Sequence, residues 1–185
     1  MSEVKENEII FARIKPDAKI PSKRDEDAGY DMWACFDGDY FVVEPGQTKG
    51  VPTGIAMAFN KKYYAQVEER SSMAKAGIKK SGGVMDSGYR GEYVIMTYNT
   101  LNIPFVISKL DFEDIPNKFV VDGKKYKKDK IKFHPYSKAI CQIVLQEIPV
   151  LEAKEISYED LMKITSERMT GGFGSSDKKQ ERRKK

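Results

Sequence analysis

The sequence predicts an all-β fold, a sandwich or barrel carrying one or two short helices. Three observations predict it. The apolar residues fall in short runs rich in β-branched and aromatic side chains, turn-forming groups separate those runs, and only two segments have helix-capping chemistry. A chain of 185 residues with 40% hydrophobic content, nine Phe and ten Tyr is long and apolar enough for one real core.

The strand runs are, in order, EIIFARI (8–14), YFVVEPG (40–46), TGIAMAF (53–59), YYAQVEE (63–69), YVIMTYN (93–99) and AICQIVLQEI (139–148). Val84 and Met85 predict a further short strand. DGD, EPGQ and FNKK supply turns between runs. SSMAKAG suits a short helix with Ser72 as N-cap and Gly77 as C-cap. SYEDLMKI suits another, with Ser157 preceding Asp160 in a capping-box-like order. FVV-DG-KKY (119–126) predicts a β-hairpin with a type I′ turn. There is no internal repeat and no interdomain linker.

Charge and composition exclude several classes. Lys178 to Lys185 holds six basic residues and one acid, leaving 26 basic and 27 acidic residues for the rest, a net charge of −1. The body is neutral, and the basic signal is a solvated tail without aromatics, which argues against nucleic-acid recognition. Cys35 and Cys141 form no CxxC pair and sit among apolar neighbours, so buried free thiols are expected. Met1 to Asn7 is polar and acidic, and no apolar run approaches a membrane span, so a cytoplasmic location is expected. With His134 the only histidine, a multi-His zinc site is excluded and carboxylates are the expected proton carriers.

Three glycine-punctuated clusters stand out. In AGYDMWA (28–34), Asp31 alone reads as an Asx-turn residue at a strand entrance. In ERSSMAKAG (69–77), a strand ends in Arg70 and leads into a helix start with Ser71 and Ser72, which suits phosphate, although an ordinary N-cap with a surface Arg reads as well. In SGGVMDSGYRGEY (81–93), Asp86 stands where a strand meets a turn, placed either for general-base work or as a capping residue of a DSG turn.

Taken together, AGYDMWA, RSSMAKAG, GGVMDSGYRGE, AICQIV and RMTGGFGSS resemble, in order, the five motifs of the trimeric dUTPases, from about Ile9 to Ser176. The resemblance implies a distorted jelly-roll or β-barrel, a magnesium-dependent hydrolysis of dUTP to dUMP and pyrophosphate by water attack on the α-phosphorus, and a homotrimer with shared active sites. It implies Asp86 as the catalytic base, and Arg70, Ser71, Ser72 and Gln142 as phosphate ligands. Asp31 would hold the metal through water. The segment Lys80 to Met85, including Gly83, Val84 and Met85, would read the uracil edge, and Tyr89 would pack under the sugar. Arg168, Phe173, Gly174 and Ser175 would belong to an arm closing the site, with Phe173 over the uracil.

The boundaries implied are a β domain over 1–167, an arm over 168–177 and a basic tail over 178–185. Glu69 stands where many relatives have proline, Gly88 where a second Asp is common, YSKAICQ replaces the usual fourth motif, and Asp177 follows the serines where glycine is common. An inserted hairpin at about 107–130 is the larger departure and resembles the inserts of some phage dUTPases. It reads as a surface extension, or alternatively as a docking surface for a protein partner. A dUTP-sensing regulator and a dCTP deaminase relative are the rival functions.

Overall fold

The computed structural model describes residues 4–166 and 169–170. Cα packing divides the chain into two units, Met1–Pro149 and Val150–Lys185.

The first unit is built from short strands. They are β1 (Ile9–Arg13), β2 (Tyr30–Met32), β3 (Tyr40–Val43), β4 (Thr48–Val51), β5 (Ile55–Phe59), β6 (Tyr63–Glu68), β7 (Ile78–Lys80), β8 (Val84–Met85), β9 (Ile95–Asn99), β10 (Phe105–Ser108), β11 (Lys118–Val121), β12 (Lys124–Lys127), β13 (Lys132–Pro135) and β14 (Cys141–Glu147). One short helix, α1 (Ser71–Lys75), interrupts them, and a 3₁₀ turn spans Lys128–Lys130. The strands form five sheets, ordered β1-β5, β13-β10-β3, β11-β12, β2-β14-β6-β8 and β4-β9-β7. This is a distorted jelly-roll arrangement, as the family resemblance implies.

Alternation explains most of these strands. In β5 and β9 every second residue is buried, with Ile55, Met57 and Phe59 or Ile95, Thr97 and Asn99 facing inward. β10 is different. All four of its residues are buried, because its sheet has a core on each face. Phe105 and Ile107 join the main core with Met32, Val43, Tyr93 and Ile143, whereas Val106 turns the other way, to Val42, Ile115, Phe119 and Tyr126.

That second core revises the expectation of a surface extension. β10 and β13 are adjacent and parallel, so the chain between them is a crossover. The crossover carries the expected hairpin, with Asp122 and Gly123 at φ of 50° and 78°, the pair of positive values a type I′ turn needs. Phe119 lies 4.6 Å from the Tyr40 ring, and Lys124 Nζ meets Glu44 at 2.7 Å. Tyr126 also donates its hydroxyl to Glu44. The segment therefore covers Val42 and Val106 instead of merely decorating the surface. Ile107 and Ser108, at the expected start of the insert, belong to strand β10 of the scaffold sheet.

The second unit contains α2 (Tyr158–Lys163), capped as expected by Ser157, whose Oγ accepts from Asp160 N at 3.0 Å.

Candidate active site

Three segments far apart in sequence meet in one cleft of about 880 Å³. β14 runs between β2 and β6, which sets Gln142 opposite Asp31 on one side and Glu68 on the other. Gln142 is thus on a central strand, not an edge. Asp31 is no Asx-turn residue either. It lies within β2, its N–H donates to Ser22 O at 2.8 Å, and its carboxylate meets Arg70 Nε at 3.0 Å.

Gly29 makes this approach possible. A Cβ there would stand 2.9 Å from Gln142 Oε1 and 3.1 Å from Gln142 Cβ and Val144 Cγ2, so a side chain at this position would push these neighbours aside.

The expected N-cap is corrected. Arg70, in extended conformation, is the N-cap of α1, because its carbonyl accepts from Met73 N and Ala74 N at 2.9 and 3.0 Å. Ser71 and Ser72 are therefore inside the first turn, no side chain caps it, and both serines line the cleft. Uncapped N–H groups, two hydroxyls and a guanidinium at one spot suit an anion. Glu69, in place of the family's proline, accepts from Lys80 N at 3.0 Å and so ties β7 to the end of β6.

Sequence reasoning missed the loop 22–29. Lys23, Arg24 and Asp27 also line the cleft, and Arg24 grips Asp27 through two hydrogen bonds of 2.9 Å that hold the Asp27 carboxyl below its usual range. The charged run KRDED before AGYD was the available signal, but such runs are usually solvated.

Asp86, Val84 and Tyr89 are elsewhere. β8 pairs with β6 on the side away from β14, with Met85 opposite Ala65. Three strand spacings and about four residues of rise put Asp86 roughly 20 Å from Asp31 across the sheet. Asp86 ends the strand in a turn closed by Tyr89 N donating to Asp86 O at 3.1 Å, and it is exposed. No hydrogen bond from the described residues engages its carboxylate, so it is not a side-chain cap of this turn. Val84 is 68% exposed on the hairpin rim, Tyr89 is exposed, and Gly83 O accepts from Val67 N at 2.8 Å. The structure thus separates the expected site residues into two groups, one of Asp31, Arg70, Ser71, Ser72 and Gln142, the other of Gly83 to Asp86 and Tyr89. Arg168, Phe173, Gly174 and Ser175 lie outside the described residues.

Other nucleophiles and bases are set aside. Both cysteines are buried free thiols, and burial raises the pKa of each. His134 is buried against Phe105 and hydrogen-bonded to Lys138 O, with its pKa pushed down by burial. Among the described residues no group of three or more His, Cys, Asp or Glu could hold a metal by itself. Among them, too, no helix is long and apolar enough to cross a membrane.

Fold and cleft together define a jelly-roll-type β protein with a polar cleft between β2, β14 and the start of α1. The family profile for dUTPase matches residues 16–111. The deoxyuridine 5'-triphosphate nucleotidohydrolase of Gloeobacter violaceus is 31% identical over 153 residues, covering 81% of this chain and 82% of that protein. The chain therefore belongs to the dUTPase family. A stretch of the Pol polyprotein of caprine arthritis encephalitis virus is 39% identical over 98 residues, which covers 53% of this chain and only 8% of the polyprotein. Among solved structures, the dUTPase of Staphylococcus bacteriophage 80alpha with dUPNHPP superposes with a TM-score of 0.67 at 22% identity, covering 91% of this chain and 98% of that one.

Proposed function

We propose that the protein hydrolyses dUTP to dUMP and pyrophosphate by attack of water on the α-phosphorus. The observation that carries this is the convergence of Asp31, Arg70 to Ser72 and Gln142 on one cleft, with an unengaged carboxylate, Asp86, at the end of a second strand.

Arg70, Ser71, Ser72 and the first-turn N–H groups bind the phosphate chain, and Gln142 adds an amide donor. Arg70 exchanges its contact with Asp31 for the phosphates, which frees the Asp31 carboxylate. Three cations and three carboxylates line the cleft, so its own charge is balanced and does not match a bare triphosphate. With its own charge balanced, the cleft suits a substrate that brings its own counter-ion, and Asp31 would hold such a magnesium ion through water. When bound, magnesium supplies charge neutralisation of the phosphate oxygens.

Asp86 takes the proton from the attacking water, for which it must stand within about 3 Å of that water. With roughly 20 Å between the half-sites of one chain, the base and the phosphate ligands of a given site come from different copies. A homotrimer provides this, with the arm at 168–177 supplying Arg168, Phe173, Gly174 and Ser175. Exposed apolar residues support assembly: Val94 just before β9, Met96 and Tyr98 on its outer face, and Val150 and Leu151. Backbone groups around Gly83 to Met85 read the uracil edge, and Tyr89 excludes a ribose hydroxyl.

The partner-docking reading of the insert keeps one observation in its favour. On the outer face of the β11-β12 hairpin, Lys118, Lys125 and Lys127 surround the exposed Val120.

The test is pyrophosphate release from dUTP, dTTP, dCTP and UTP with magnesium. Only dUTP should turn over well. Ammonia release from dCTP, or no turnover of dUTP, would overturn the proposal.

A further inference from the structure

The loop 22–29 carries a second set of donors, which the proposed chemistry leaves unused. It reaches the cleft beside Asp31. That residue stands between two neighbours, Gln142 of β14 on one side and Ser22, in an isolated antiparallel bridge, on the other. Arg70, Ser71 and Ser72 belong to the Gln142 side, because they follow β6, which pairs with β14. Arg24 belongs to the Ser22 side. It follows Ser22 by two residues, at most about 7 Å of chain, and lines the same cleft.

The loop is tied down without the Arg24 side chain. Lys23 Nζ donates to Arg24 O, Asp25 O and Asp27 O at 3.2, 3.3 and 2.9 Å, and Asp27 N closes the turn on Arg24 O at 3.1 Å. Asp27 then orients the guanidinium, accepting from Arg24 Nε and Nη2 at 2.9 Å each. A guanidinium has five N–H donors, and the edge carrying Nη1 has no acceptor among the described residues. An arginine gripped by a carboxylate on one edge and open on the other is set for a two-point contact with a phosphate. Its side chain is 87% exposed against 34% for Arg70, so this is the open end of the cleft. Glu26 and Asp27 line that end too and oppose a bare anion, which again calls for a substrate carrying its own cation.

We propose that Arg24 is a substrate-binding residue for the terminal phosphate of dUTP. The triphosphate then runs from Arg70, Ser71 and Ser72 across Asp31 to the loop 22–29, and a diphosphate falls short of the loop. The terminal phosphate carries the most charge of the three and no link to the sugar, which suits the open end. The inference rests on Arg70, Ser71 and Ser72 binding the phosphate chain, and it adds a residue that selects triphosphate over diphosphate.

The test is calorimetric binding of α,β-imido dUTP and α,β-imido dUDP, with magnesium, to the full wild-type chain and to Arg24→Ala. The variant should bind the triphosphate analogue about tenfold more weakly, the order of one lost hydrogen-bonded contact to a charged group, and the diphosphate analogue within about twofold of wild type. KM for dUTP should rise by the same factor of about ten. Equal weakening of both analogues, or weakening of neither, would overturn the inference. Failure of the wild-type chain to bind either analogue would overturn the phosphate reading of Arg70, Ser71 and Ser72, and this inference with it.

Discussion

Asp86 is exposed at the end of β8 with its carboxylate unengaged by the described residues, so its replacement by the isosteric amide tests chemistry more than folding. Asp86→Asn should lower the single-turnover rate by about 10²–10⁴, the usual worth of a positioned general base, with binding of a dUTP analogue retained. Near-wild-type single-turnover rates would remove it from the mechanism. Tyr89→Ala should reduce the ratio of kcat/KM for dUTP over UTP, because the proposed discrimination is steric and rests on one ring. An unchanged ratio would leave the ring a packing role only. His134 gives a pH dependence of the fold. Burial lowers its folded pKa below the ordinary 6.5, so the unfolded chain binds the proton more readily. The stability it supports is full above about pH 6.5 and is lost as pH falls through the folded value. Urea unfolding at pH 7.5 and 5.5 should show a smaller loss in His134→Gln than in wild type, and equal losses would refute this.

At the scale of elements, the crossover between β10 and β13 behaves as part of the fold. Replacing Leu110 to Lys128 by a Gly/Ser linker bares Val42 and Val106 and removes Ile115, Phe119 and Tyr126 from the core beneath. The cost should be on the order of 2–4 kcal/mol, read as a lower Tm, while dUTP turnover below that Tm persists because neither half-site lies in the segment. An unchanged Tm would return the segment to mere decoration. This second core was not legible in the sequence. The FVV-DG-KKY hairpin was, since its turn chemistry is local, but what Phe119 and Tyr126 cover depends on a pairing of Phe105 with Lys132 that no local pattern announces. β4, with the sequence TKGV, and the three-residue β2 were missed for the same reason, being held by their partner strands and not by alternation of their own.

At the scale of the whole molecule, the sequence named candidate site residues but not how the fold partitions them. Five ordered motifs pointed to Asp31, Arg70, Ser72, Gln142 and Asp86, but a linear order cannot say that β6 stands between Gln142 and the strand carrying Asp86. It also gave no sign that Arg70, not Ser72, caps α1, which turns on where one carbonyl points. The partition makes the central claim testable: the enzyme hydrolyses dUTP at sites whose two halves come from different copies. Arg70→Ala destroys one half and Asp86→Asn the other, so each variant alone should be inactive. The measurement is pyrophosphate release from dUTP after co-refolding the two variants in equal amounts. Recovery to about a quarter of wild-type activity is predicted, because in a closed ring a site is whole when an Asp86→Asn chain supplies Arg70 and its neighbour supplies Asp86. No recovery, with mixed assemblies confirmed by mass, would contradict the account.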